Sequence, residues 1–245
     1  MATRLVHMVI DAGDPSGLAA FWAAAIGWEV ALDEPDEAVV WPAGFGYPGS
    51  EAVPLVFVPV PEQKAVKNRI HLDLATRSTA HQAELVGRLR ALGAVPVDLD
   101  QGDVPWVVLA DPEGNEFCVL EPRMAYTDTG PVAAIVVDTA APVGLADFWI
   151  IASGWRLQDD RNGVVSLRSP SDAGPYLEFL PSSDSKAAKG RVHLDVAPHR
   201  DEAHAEAVES LLRAGAVRAD VGQGDVSWAV LADPEGNEFC VLTPR

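Results

Sequence analysis

The segment LADPEGNEFCVL stands at residues 109–120 and, letter for letter, again at 231–242. The likeness spreads outward from it. QGDVPWVVLADPEGNEFCVL (101–120) and QGDVSWAVLADPEGNEFCVL (223–242) differ at two positions, and the copies lie 122 residues apart. At the same offset NRIHLDLA (68–75) matches GRVHLDVA (190–197), whereas GLAAFWAAAIGWEV (17–30) resembles GLADFWIIASGWRL (144–157) at an offset of 127. An insertion or deletion of about five residues therefore separates two otherwise tandem copies. They divide the chain into residues 1–123, a linker at 124–131 and residues 132–245.

Each copy contains a smaller repeat. RLVHMVI (4–10) has the β-branched, apolar character of a strand. Asp14-Pro15 then supplies an N-cap and first-turn signal, and Leu18, Phe21, Trp22, Ala25 and Ile26 form an apolar helical face closed by Gly27. The runs WEVAL, AVVW and PLVFV follow as strands. The order then recurs: strand RIHLDLA, a helix from Ser78 to Leu92 ended by Gly93, and strands AVPVDL, PWVVLA and EFCVL. The chain thus reads as four βαβββ modules of an α+β protein. Asp-Pro-Glu-Gly-Asn is a tight turn between the last two strands of a module, with proline fixing φ and glycine or asparagine tolerating positive φ.

Composition narrows the partners. The chain has 245 residues and a formal charge of −18, which opposes binding to a phosphate backbone, so no nucleic-acid partner is expected. LAAFWAAAIGW (18–28) is too short to span a bilayer, and MATRLVHMVID lacks a secretory pattern. The expectation is a soluble cytoplasmic protein, monomer or homodimer, with a small-molecule ligand and no membrane partner. Two cysteines, Cys118 and Cys240, make no disulfide framework. GFGYPG (44–49) reads as a loop whose Phe45 and Tyr47 could wall a pocket. No Gly-rich phosphate loop, zinc-type CxxC or G-x-S-x-G elbow is present.

Paired βαβββ modules, a histidine in a module's first strand and a closing DPEGNEF hairpin resemble the vicinal oxygen chelate superfamily, which includes glyoxalase I, bleomycin-resistance proteins and extradiol dioxygenases. The resemblance covers nearly the whole chain and is closest to the glyoxalase-like domains. It implies two such domains with curved mixed sheets, each enclosing a cleft. It also implies that a module donates one metal ligand from its first strand and one from its last. Carried over, the first-strand positions fall on His7, His71 and His193, with Ala134 breaking the set. The last-strand positions fall on Cys118 and Cys240, near Val58, and near Leu180 with Glu178 two residues before it. A thiolate suits Zn or Cu(I), yet the favoured reading of each cysteine is a small buried apolar residue.

Asp73 and Asp195 share a face with His71 and His193 and could orient an imidazole or bind substrate. Trp106 and Trp228, equivalent in the repeat, could line a ligand pocket. If each copy closes on itself, the donor sets are His7–His71–Cys118 and Glu178–His193–Cys240. If modules pair across the copies, they are His7–His193–Cys240 and His71–Cys118–Glu178. The implied activity is lyase, isomerase or dioxygenase chemistry at a divalent metal (Zn, Ni, Fe or Mn). The alternative is a metal-free protein that sequesters a small molecule, as bleomycin-resistance proteins do. The missing donors of the third module lead us to expect unequal clefts, the more polar one containing His7.

Overall fold

The computed structural model describes residues 3–184 and 186–245. In the first copy the elements are β1 (Arg4–Ala12), α1 (Pro15–Ile26), β2 (Glu29–Glu34), β3 (Glu37–Trp41), β4 (Leu55–Pro59), β5 (Ile70–Leu74), α2 (Thr79–Ala91), β6 (Val95–Pro96), β7 (Val107–Ala110) and β8 (Glu116–Val119). A 3-10 turn at Met124–Tyr126 lies in the linker. The second copy repeats the order: β9 (Val132–Thr139), α3 (Pro142–Ser153), β10 (Arg156–Arg161), β11 (Val164–Arg168), β12 (Tyr176–Pro181), β13 (Val192–Ala197), α4 (His204–Arg213), β14 (Val217–Arg218), β15 (Ala229–Ala232) and β16 (Glu238–Val241). The four βαβββ modules stand as read. The run AVPVDL is the exception, forming only the two-residue β6.

The eight strands of each sheet come from both copies. One sheet runs β14-β15-β16-β13-β1-β4-β3-β2 and the other β10-β11-β12-β9-β5-β8-β7-β6. Module one therefore joins module four along β1 and β13, and module two joins module three along β5 and β9, both antiparallel. The pairing across the copies is the one adopted. The central strands explain their continuous apolar sequences: β9 is buried along its whole length and β1 everywhere but Arg4.

The signals at α1 hold in detail. Asp14 accepts from Gly17 N, and Gly27 takes φ +72 to end the helix. Trp22 is buried against Phe117, with ring centroids 5.0 Å apart, and Trp149 repeats the contact with Phe239 at 5.5 Å.

The twice-written turn ties these pieces together. Asp111 Oδ1 accepts from the Glu113 and Asn115 amides at 3.0 and 2.9 Å, while Oδ2 accepts from the Trp22 indole at 3.2 Å. Gly114, at φ +85, completes the reversal. Glu113 reaches beyond its own sheet, accepting from Gly13 N and Asp14 N at 2.8 and 2.7 Å and from Arg191 at 2.9 Å. In the second copy Asp233 and Trp149 repeat the first contact, and Glu235 accepts from Ala141 N and Arg69. Each turn thus docks on the first module of its own copy and is held by an arginine of the other.

Burial raises Asp111 above the usual carboxylate range even with these donors around it. Removing the carboxylate leaves two amides and an indole N–H without partners in the interior. Asp111→Ala should therefore lower the unfolding free energy by about 2–4 kcal/mol. Urea denaturation followed by tryptophan fluorescence should show the loss, and Asp233→Ala should match it.

Candidate functional site

Register fixes which residues are equivalent. Asp73 lies opposite Cys118, Asp195 opposite Cys240, Val9 opposite Val56, and Val136 opposite Glu178. Glu178 therefore occupies the cysteine's place in its module and Val56 the same place in module one. This corrects the expectation that placed those positions near Leu180 and Val58. Likewise His7 pairs with Asp195 as Ala134 pairs with Asp73, so Ala134 stands where module one has its histidine.

Two triads result, one per sheet. His71, Asp73 and Cys118 present donor atoms within 4.8 Å of one another, and so do His193, Asp195 and Cys240. The geometry follows from strand periodicity: His and Asp two residues apart share a face, and the parallel neighbour brings cysteine beside the aspartate. His71 Nε2 lies 3.4 Å from Asp73 Oδ1, and His193 Nε2 lies 3.5 Å from Asp195 Oδ1. These contacts are within ion-pair reach but are not hydrogen bonds, so both Oδ1 atoms are buried without a partner.

The electrostatics follow from burial. Burial first, then the adjacent Asp73, pushes the Cys118 thiol far above its usual range, and burial with Asp195 does so at Cys240. Both thiols are therefore protonated and poor nucleophiles as they stand. Burial pulls the His71 imidazole down, but Asp73 outweighs it and the net shift is upward.

The two remaining candidate ligands stand beside the triads. His7 Nδ1 is 3.5 Å from Asp195 Oδ2, while its Nε2 meets the Tyr47 hydroxyl at 2.5 Å. Burial raises that phenol to about 12, so it stays protonated. Glu178 accepts from the Tyr126 hydroxyl at 3.0 Å and from Ser166 at 3.2 Å. Burial, reinforced by Asp73, nevertheless holds it above the usual carboxylate range. Each floor is thus overhung by a tyrosine, Tyr47 from the 44–49 loop and Tyr126 from the linker. Sequence reasoning found Tyr47 only as a wall and missed Tyr126 altogether, because neither lies in a periodic element.

Glu178 on one side and Val56 on the other make the clefts unequal. The His71 cleft is lined by three carboxylates, Asp73, Glu116 and Asp138, with Glu178 beside it under the Tyr126 hydroxyl. It encloses about 120 Å³, walled by Trp106, Leu120, Arg123 and Lys67 among others. Arg123 lies over Trp106 and Tyr126 at 5.7 and 5.9 Å from their ring centres. Trp228, the repeat equivalent of Trp106, is 39% exposed. A larger space of about 1050 Å³ between the sheets is lined by ion pairs such as Lys189–Asp11 and reaches the His71 cleft at Lys67 and Asn68, but neither triad lines it.

The glyoxalase-like domain model matches residues 7–120 and again 134–242. The chain belongs to the glyoxalase-like domain family. Among solved structures, this tandem glyoxalase-like protein is similar over 99% of its length to glyoxalase I from Zea mays, of which it covers 92%, with TM-score 0.67 and 17% identity. A mutant form of that maize enzyme gives TM-score 0.66 and 18% identity, with 99% and 94% covered. A putative dioxygenase from Bacillus subtilis subsp. subtilis str. 168 gives TM-score 0.61 and 14% identity, with 99% and 85% covered. At these identities the likeness is one of fold. No curated protein matches the sequence. Among the described residues no helix is long and apolar enough to cross a membrane.

Cys118 and Cys240 are free and lie in different sheets. Thiol counting on the denatured, non-reduced chain should therefore give two free thiols, and a count of zero would contradict this structure.

Proposed function

We propose that this glyoxalase-like protein handles a small molecule over triads that each bind one thiophilic divalent cation, with zinc the best fit. The ligands are His71, Asp73 and Cys118 in one cleft, and His193, Asp195 and Cys240 in the other. The unpartnered Oδ1 of Asp73, repeated at Asp195, is the observation that carries this reading. A buried acceptor without a partner costs roughly 1–3 kcal/mol, and a cation between it, an imidazole and a thiolate would offset that cost. One nitrogen, one oxygen and one sulfur donor suit zinc and leave a fourth position for a ligand. When bound, such an ion would polarise a coordinated oxygen.

The chain's own residues supply the remainder. Trp106 and Leu120 exclude water from one wall, and Tyr126 offers a protonated hydroxyl over the floor. Asp73 would serve as a ligand here and not as a substrate contact. A 120 Å³ cleft admits a few heavy atoms, well under the roughly 300–1,000 Å³ of drug-sized sites, which favours a small metabolite over a large drug. The metal-free reading has one observation in its favour: Glu178 is already engaged by Tyr126 and Ser166.

Cobalt(II) titration of chelator-treated protein separates the two readings. Two equivalents should bind, with sulfur-to-cobalt charge-transfer absorption in the near ultraviolet. Asp73→Ala or Cys118→Ser should remove one of them. His7→Ala should leave both, since His7 lies outside the triad. Protons compete for the imidazole. Because Asp73 raises His71, cobalt should leave that triad at a higher pH than the ~6.5 of an unperturbed histidine implies. Absence of the charge-transfer band would refute the metal reading and leave metal-free binding.

A further inference from the structure

The two clefts are copies of one design within one chain, so their differences isolate what each is shaped to accept. The Lys67–Asp138 pair beside one cleft is repeated as Lys189–Asp11 beside the other, and Lys64–Glu116 as Lys186–Glu238. These pairs cancel in the comparison. Other positions do not, and they go beyond His7 against Ala134, Arg77 against His199 and Ser78 against Arg200. Glu178 is replaced by Val56, and Glu121 by Thr243 at the offset of 122. Pro131 is replaced by Arg4, because Arg4 and Pro131 each lie three residues before the paired positions His7 and Ala134.

The consequence is a reversal of charge at the rim. In the His71 cleft Arg123 is neutralised by Glu121 through two contacts of 2.7 and 3.2 Å. In the His7 cleft the equivalent arginine, Arg245, faces no such carboxylate, and Arg4 is added beside it. Arg4, Arg200 and Arg245 are three of eight arginines that have no carboxylate side chain within ion-pair distance among the described residues, and Arg4 has both of the others as charged neighbours. Arg4 Nη2 donates to the main-chain oxygen of Arg245 at 2.6 Å, and its Nη1 lies 3.0 Å from His199 Nδ1. Burial, then the neighbouring Arg245, holds Arg4 below the usual arginine range, as crowding of like charges requires.

We propose that the His7 cleft takes a small organic oxyanion, a carboxylate or phosphate group docked against Arg4 and Arg245 beside the Tyr47 hydroxyl. The His71 cleft, with Glu121 and Glu178 in place, does not. Guanidinium forks are suited to either oxyanion, and neighbouring guanidinium groups at the rim attract them in spite of the acidic chain. The site stands on the arginines and is independent of any cation in the triads.

Calorimetric titration of the full chain, kept in chelator so that no metal contributes, tests this with inorganic phosphate and with acetate as probes. One saturable equivalent is expected for at least one probe, and the tighter of the two identifies the anionic group. Loss of one charge-assisted contact in Arg4→Gln should weaken binding by about tenfold or more. Thr243→Glu, which writes the other cleft's carboxylate beside Arg245, should do the same without removing a cation. Arg123→Gln should leave binding unchanged. No saturable binding of either anion, or equal loss in Arg4→Gln and Arg123→Gln, would overturn the proposal.

Discussion

The structure depends on a carboxylate folded into its own turn. Asp111 and Asp233 each receive amides from the Asp-Pro-Glu-Gly-Asn reversal and an indole N–H from a helix that packs against the other sheet. An apolar residue would leave those donors unsatisfied, and a longer acid would not curl back to the amides two and four residues on. The glutamate two positions later then reaches the entry of the first module and an arginine of the other copy. Strand pairing joins the copies through the sheets, and the turns join the sheets through each copy. The two kinds of bond run across each other, so neither copy is a closed sheet by itself.

This interlock marks what the sequence could disclose. The modules, the Asp14 cap and the hairpins were legible because each is a local pattern: a strand's apolar run, a capping side chain, a turn with its glycine. Pairing was not. Strands β1, β5, β9 and β13 have similar composition, so either partner could bury them, and the choice is made by non-local contacts such as Arg191 with Glu113. The ligand position of module three was placed two residues past Glu178 because Gly174-Pro175 marks where β12 begins but not its register against β9, which is non-local. His7 looked like a ligand because its strand position is right. What its strand position does not disclose is a tyrosine forty residues away, in an irregular loop, that engages its Nε2.

Duplication also explains why the triads stay alike while the rims do not. A triad is written by a strand pair: His-x-Asp on one strand and cysteine opposite the aspartate on the next. Any module that folds like β5–β8 builds it, and β13–β16 does so with nearly the same separations. The rim is assembled from the linker, the 44–49 loop and the ends of β1 and β16, which belong to different modules in the two clefts. A substitution there changes one cleft and leaves the other untouched. Charge at the rim is therefore free to diverge while the floor stays the same.

The floors pose the sharper energetic question. A protonated thiol, an imidazole and a carboxyl form an uncomfortable group to bury, since in each triad the aspartate keeps one oxygen without a donor and helps burial push the thiol up, and at His71 it raises the imidazole as well. A fold can tolerate one such group as local strain. Here it occurs twice, in two sheets, with equivalent register each time. Apolar replacement of the cysteine and aspartate would relieve the cost without disturbing the strands, because their backbone bonds do not use those side chains. Retaining the group is favourable when something occupies it. A cation bound as proposed would displace the thiol proton and give the imidazole nitrogen, the carboxylate oxygen and the sulfur a common partner.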